Sequence, residues 1–173
     1  SIAIATSARV SYWLGAGDPR RARAAIRMGF RLVALMAIAL STILFIARGE
    51  VAEIYARNPA VIALASALLA WVAAYHLADA VQTLCVFVLR CYRVTVAPLL
   101  VYCVLLWGLG LTGGYLLAYH GVGTVHAIAS PITFWATSAI ALALTATIFA
   151  AILWRAVRRP AARQAQAPRR PAP

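Results

Sequence analysis

The sequence predicts an all-α integral membrane protein, a bundle of one partial and four full transmembrane helices. Three observations predict the bundle. Of 173 residues, 64% are hydrophobic and 12% charged, against about 25% charged in a soluble domain. The mean hydropathy is +0.86. The charges also sit at the ends of long apolar runs: all 16 basic residues are arginines, and most flank such runs, where membrane topology uses them. The net charge of +12 is therefore read as a topological signal, and no nucleic-acid partner is expected.

Ser1 to Leu14 is already apolar and too short to span a bilayer. No basic region precedes it, so it is not read as a signal peptide. It reads as the end of a helix, and the chain as the C-terminal part of something longer. Gly15-Ala-Gly17 stops this helix, and Asp18-Pro19 is an N-cap followed by a first-turn proline. Five arginines lead into the apolar run Leu32 to Ala47. Arg48 to Asn58 reads as a short amphipathic connection. Asn58-Pro59 opens a third helix, Pro98 a fourth with Gly108, Gly110, Gly113 and Gly114, and Ser130-Pro131 a fifth. The predicted helices cover about 1–14, 24–47, 59–89, 98–119 and 131–154, and together they make the membrane domain, 1–154. Residues 155–173, rich in Pro, Ala and Arg, are expected to be a disordered basic tail. The glycines of the fourth helix permit close helix contact or a local bend. Cys85, Cys91 and Cys103 lie in or beside apolar runs and read as small buried hydrophobes rather than disulfides or metal ligands.

The third helix holds the residue the rest must explain. Counting back 20 residues from Arg90, the length that crosses ~30 Å of hydrocarbon, gives a span from Ala70 to Leu89 with Asp79 in its middle. Asp79 is about 16 Å along the helix from Arg90, close to the bilayer midplane. A carboxylate there is costly unless protonated, ion-paired or wet, so it should face a cavity or another helix. Tyr75 and His76 lie one turn before it, Gln82 and Thr83 one turn after, all on one stripe. The opposite face, Ala73, Leu77, Ala80, Leu84 and Val88, suits lipid or close packing.

The arginines set the orientation. Arg20, Arg21, Arg23, Arg27, Arg31, Arg90, Arg93 and the six of residues 155–173 fall on one side, and only Arg48 and Arg57 on the other. This bias predicts a cytoplasmic tail. Aromatics at the predicted boundaries agree: Tyr12, Trp13 and Trp154 on the inside, Tyr115, Tyr119 and Trp135 on the outside. Arg9, near the cytoplasmic end of the first helix, can snorkel to it.

Several segments resemble those of multidrug and toxic compound extrusion (MATE) transporters, in the right order. Ala5-Thr-Ser-Ala-Arg9-Val10-Ser11 through Leu14-Gly15-Ala-Gly17 to Ala22-Arg23 resembles that family's A-x-R-V-G…L-G-A-G…A-R segment. Tyr75-His-Leu-Ala-Asp79-Ala-Val-Gln82 resembles its tenth-helix Asp-Ala-x-Gln segment. Leu89-Arg90-Cys-Tyr-Arg93 with Pro98 resembles the loop to its eleventh helix, and Trp107-Gly-Leu-Gly110-Leu-Thr-Gly-Gly114-Tyr115 that glycine-rich helix. Ser11, Cys91 and Thr112 depart from the pattern, at positions that bear on helix packing. The likeness is to the NorM-like branch and covers the end of helix eight to helix twelve.

The resemblance implies an antiporter of the bacterial inner membrane. It would export amphiphilic cationic drugs by alternating access, driven by H⁺ or Na⁺, with its other, N-terminal lobe as partner. It implies a cation or proton site at Asp79 with Tyr75 beside it, and no further metal or cofactor. The family's seventh helix supplies an acidic partner that these residues do not include. His76 reads either as a proton relay or as a neutral histidine bonded to a backbone carbonyl, and only spacing favours the relay. Gln82 and Thr83 either line the cavity or bond to adjacent helices. A related lipid-oligosaccharide flippase is the alternative transporter, but it would want basic groups for pyrophosphate at mid-membrane, where the only charge is acidic. A membrane enzyme built on Asp79 and His76 would want further polar or metal-ligating groups at that depth, and the chain is read as no enzyme. An inactive structural bundle remains the third reading.

Overall fold

The computed structural model describes residues 1–123 and 126–158, and every regular element among them is a helix. They are α1 (Ile2–Gly15), α2 (Pro19–Ile46), α3 (Arg48–Tyr55), α4 (Pro59–Cys91), α5 (Val96–Tyr102), a π-helical segment (Cys103–Thr112), α6 (Gly113–Tyr119) and α7 (Ile132–Arg158). Four continuous helices, Pro19–Ile46, Pro59–Cys91, Val96–Tyr119 and Ile132–Arg158, are long and apolar enough to cross a membrane. The chain thus builds an all-α membrane bundle.

Caps set the boundaries. The Asp18 carboxylate accepts from the backbone N–H groups of Arg20 and Arg21 at 3.0 and 2.9 Å, so α2 begins at Pro19, where the Asp-Pro pair places it, five residues before the expected span from 24. Asn58 caps α4 through the Ala60 N–H at 2.9 Å. α1 ends in a Schellman turn: the Asp18 N–H reaches back to the Trp13 carbonyl and the Gly17 N–H to that of Leu14, with Gly17 at φ 72°. α4 ends in the same turn, Val94 to Leu89 and Arg93 to Arg90. There the left-handed position, φ 59°, falls to Arg93. α4 therefore continues to Cys91, two residues past the expected end. α7 also outruns its expected end at Trp154, because Arg155 to Arg158 extend the last turn and correct the expectation that disorder begins at residue 155. Their arginines suit a helix C-terminus, where the backbone dipole favours cations. Residues 159–173 lie outside the described residues.

α4 is the centre. It packs on α1, α2, α3 and α7, and α7 in turn packs on α5, the π segment and α6. The core lies where α1, α2, α4 and α7 meet: Val10, Ile26, Val33, Leu84, Cys85, Val88, Leu89, Phe149 and Leu153. Small residues let the helices close. A Cβ on Gly29 would land 2.5 Å from the Thr6 side chain, and one on Gly114 would land 2.8 Å from the Thr137 hydroxyl. The Cys91 thiol donates to the Ser7 carbonyl at 3.4 Å, tying the end of α4 to α1.

Between α5 and α6 the helix is wound with i to i+5 hydrogen bonds. The Thr112 hydroxyl follows the same step, donating to the Trp107 carbonyl at 2.9 Å. π turns are rare and short in most proteins, and glycines at 108 and 110 ease this one by leaving the backbone uncrowded. Across the interface, the Thr137 hydroxyl of α7 sits 2.9 Å from the Gly110 carbonyl.

Candidate functional site

The candidate site lies on the side of α4 that faces α5 and α7. The helix begins at the Asn58 cap and runs 33 residues, which fixes the phase of everything on it. Tyr75, His76, Asp79 and Thr83 are half-buried and Gln82 is buried. The stripe is therefore held inside the bundle instead of being turned out to lipid. Leu84 and Val88 on the other face are fully buried in the core, and this packing leaves the stripe no freedom to rotate.

Neighbouring helices contribute groups that a reading of α4 alone does not bring in. The Tyr75 ring packs edge-on against Trp135 of α7, centroids 6.0 Å apart and planes at 80°. Its hydroxyl also lies in coulombic range of the Asp79 carboxylate and of the Tyr102 hydroxyl on α5. One turn past Asp79, Gln82 lines a cavity of about 480 Å³ between α4 and α5, with Pro98, Leu99 and Tyr102 opposite, Phe149 of α7 beneath, and Arg90 at its end. Asp79 itself does not line this cavity. The Thr83 hydroxyl donates to the Gln82 side-chain amide oxygen at 3.3 Å, so these two side chains are bonded to each other.

Asp79 and His76 make no side-chain hydrogen bond or ion pair among the described residues; the ion pair there is Arg21 with Asp18 at 3.4 Å. Nor do any three His, Cys, Asp or Glu side chains among the described residues gather into a metal site. What the stripe offers chemically is oxygen: one carboxylate, a phenol within coulombic range, and an amide and a hydroxyl one turn on. Oxygen ligands suit a proton or a hard monovalent cation. Trp135, Tyr102 and Phe149 were not read from the sequence as parts of a site. Trp135 carried only a boundary-aromatic signal, and nothing in a single sequence says which helix a given aromatic will face.

Residues 1–116, from α1 into α6 and including the whole stripe, match the MatE family. The chain belongs to that family. Among its curated relatives, a probable multidrug resistance protein NorM of Aromatoleum aromaticum is 35% identical over 162 residues, 92% of this chain and 34% of the relative. The multidrug resistance protein MdtK of Pectobacterium atrosepticum is 36% identical over 165 residues, 94% of this chain and 35% of the relative. The multidrug resistance protein PmpM of Pseudomonas aeruginosa is 34% identical over 117 residues, 68% of this chain and 24% of the relative. This MatE chain thus spans about a third of the length of these relatives. Together with its apolar helices, the relationship makes it an integral membrane protein of the NorM-like type.

Proposed function

We propose that this chain acts as the C-terminal lobe of a cation-coupled multidrug antiporter. In this reading Asp79 is the group that takes up H⁺ or Na⁺, and Tyr75 is a neighbouring oxygen ligand. The observation that carries it is a half-buried carboxylate in the middle of α4, one helical turn from a phenol and without a cationic partner among the described residues. An intramembrane acid in that position costs free energy that binding a cation or proton offsets. Loading Asp79 removes its net charge and favours one packing of α4 against its neighbours; unloading favours the other. Alternating access is that population shift. The names of the relatives support drug export, and amphiphilic organic cations are the substrates that an acidic, aromatic-lined lobe suits. The other lobe, with a further acid, would complete the cavity. Gln82 shapes the edge of the adjoining cavity, and Thr83 holds Gln82 in place.

The test is Asp79→Asn in the full-length parent, reconstituted and assayed for drug efflux under a pH gradient and a Na⁺ gradient separately. Asn keeps size and hydrogen bonding but cannot titrate. Efflux should vanish with expression unchanged, Tyr75→Phe should give a milder loss, and the 173-residue chain alone should export nothing. Undiminished efflux by the Asn variant under both gradients would remove Asp79 from the mechanism.

Orientation belongs to the same proposal. Arg23, Arg27, Arg90, Arg93 and Arg158 belong to one end of the bundle, because the segments that carry them share one core cluster, and that end should be cytoplasmic. The bacterial sources of the relatives support the bacterial inner membrane as its place. A membrane-impermeant maleimide applied from outside should label Gly123→Cys and spare Ala16→Cys. The reverse pattern would overturn the orientation.

A further inference from the structure

At the arginine-rich end, α2 and α7 enclose a second cavity, of about 440 Å³, well away from the Asp79 stripe. Arg23 and Arg27 of α2 and Arg158 of α7 line it, with Phe30, Leu153 and Trp154 as its apolar wall. The three arginines are exposed. The Arg23 Nε donates to the Pro19 carbonyl at 3.1 Å, which holds the side chain along the helix and leaves both terminal nitrogens to other partners. The Arg158 guanidinium stacks 3.6 Å over the Trp154 ring, which fixes its plane.

Three like charges around one groove favour a counter-anion, and none of the acidic side chains of this sequence lines it. The chain holds four acidic residues. Asp18 caps α2 and pairs with Arg21. Asp79 is at mid-helix in α4. Glu50 and Glu53 lie in α3, beyond the far end of α2. Residues 159–173 add four arginines and no acid. The groove is thus open to an anion that the described residues do not supply.

We propose that this groove binds the phosphate headgroup of an anionic phospholipid, with an acyl chain lying along Phe30 and Leu153. Guanidinium forks match phosphate oxygens two at a time, basic pockets between membrane helices suit acidic headgroups, and tryptophan favours headgroup depth. Three arginines also suit the two phosphates of cardiolipin better than the single one of phosphatidylglycerol.

Native mass spectrometry of the purified chain, loaded with equal amounts of cardiolipin, phosphatidylglycerol and phosphatidylethanolamine, tests this. Retention should fall in that order, with about tenfold or more between the first and the last. Arg23→Gln with Arg27→Gln should lose that preference, and Arg23→Lys with Arg27→Lys should keep part of it, because charge remains while the fork is lost. Arg90→Gln with Arg93→Gln removes the same charge from the same end of the bundle outside the groove and should change retention less than about twofold. Variants are compared at equal helicity by circular dichroism. Equal retention of the three lipids would overturn the proposal. So would an equal loss in the Arg90 and Arg93 variant, since the attraction would then be diffuse. Release of bound lipid by inorganic phosphate alone would overturn it too, since the acyl chain would contribute nothing.

Discussion

The two halves of α4 are both apolar and live in different surroundings. From Pro59 to Val72 no side chain is buried; from Gln82 to Leu89 five are, namely Gln82, Leu84, Cys85, Val88 and Leu89. The second half is gripped by α1, α2 and α7 together. The first half meets α2 across a cavity of about 310 Å³ lined by Ile38, Ser41, Phe45, Ala70, Ala73 and Leu77. There the buried Ser41 hydroxyl has no hydrogen-bond partner among the described residues. Asp79 stands where the tight half gives way to the loose one. Hydropathy does not make the difference, since both halves are apolar, the first richer in Ala and the second in Val and Leu. It comes from how many helices converge at each level. A carboxylate at the edge of the rigid half has a fixed position and adjoins a region that can still move.

The largest effect should come from opening the tight half. Leu84→Ala should cost about 2–5 kcal/mol, since a fully enclosed leucine leaves a cavity behind, while Val61→Ala, half exposed, should cost under about 0.5 kcal/mol. Denaturant unfolding in micelles, followed by circular dichroism, measures both, and equal losses would erase the contrast. Adding volume should give opposite signs. Ala22→Leu, at a fully buried position, should destabilise by about 1–3 kcal/mol. Ala70→Leu reaches into the loose cavity and should stabilise by about 0.5–2 kcal/mol. If both destabilise, the space between α2 and α4 is not free to be filled.

The smallest effects concern the two Schellman turns, which share a hydrogen-bond pattern and carry Gly17 and Arg93 at the left-handed position. Gly17→Ala should cost about 1 kcal/mol, because a Cβ is disfavoured at positive φ. Arg93→Gly should stabilise by about 0.5–1 kcal/mol for the same reason. A loss of stability in Arg93→Gly would mean that the arginine side chain contributes more than its backbone costs.

Much of this protein was legible in its sequence because the signals are local. Asp18-Pro19 and Asn58-Pro59 announce helix starts through caps that need no tertiary context, and the glycine at position 17 announces a stop. The end of α4 was harder to read, because Arg93 occupies a position where glycine is the usual marker. The π winding was not legible. Gly108, Gly110, Gly113 and Gly114 said only that helices come close or bend, and which of the two depends on Thr137 and Phe134 of α7 standing opposite.

By itself, then, the sequence determined the class, the membrane-spanning runs, the arginine asymmetry and the stripe that carries Asp79. Each follows from hydropathy, charge or a 3.6-residue period within one segment. Only the tertiary structure decided that Tyr75 meets Trp135, that Gln82 walls a cavity with Tyr102 and Phe149, and that Arg23, Arg27 and Arg158 share a groove. Those pairings join residues 20 to 135 positions apart in the chain. They depend on which helix packs against which, and a single helix carries no record of its neighbours.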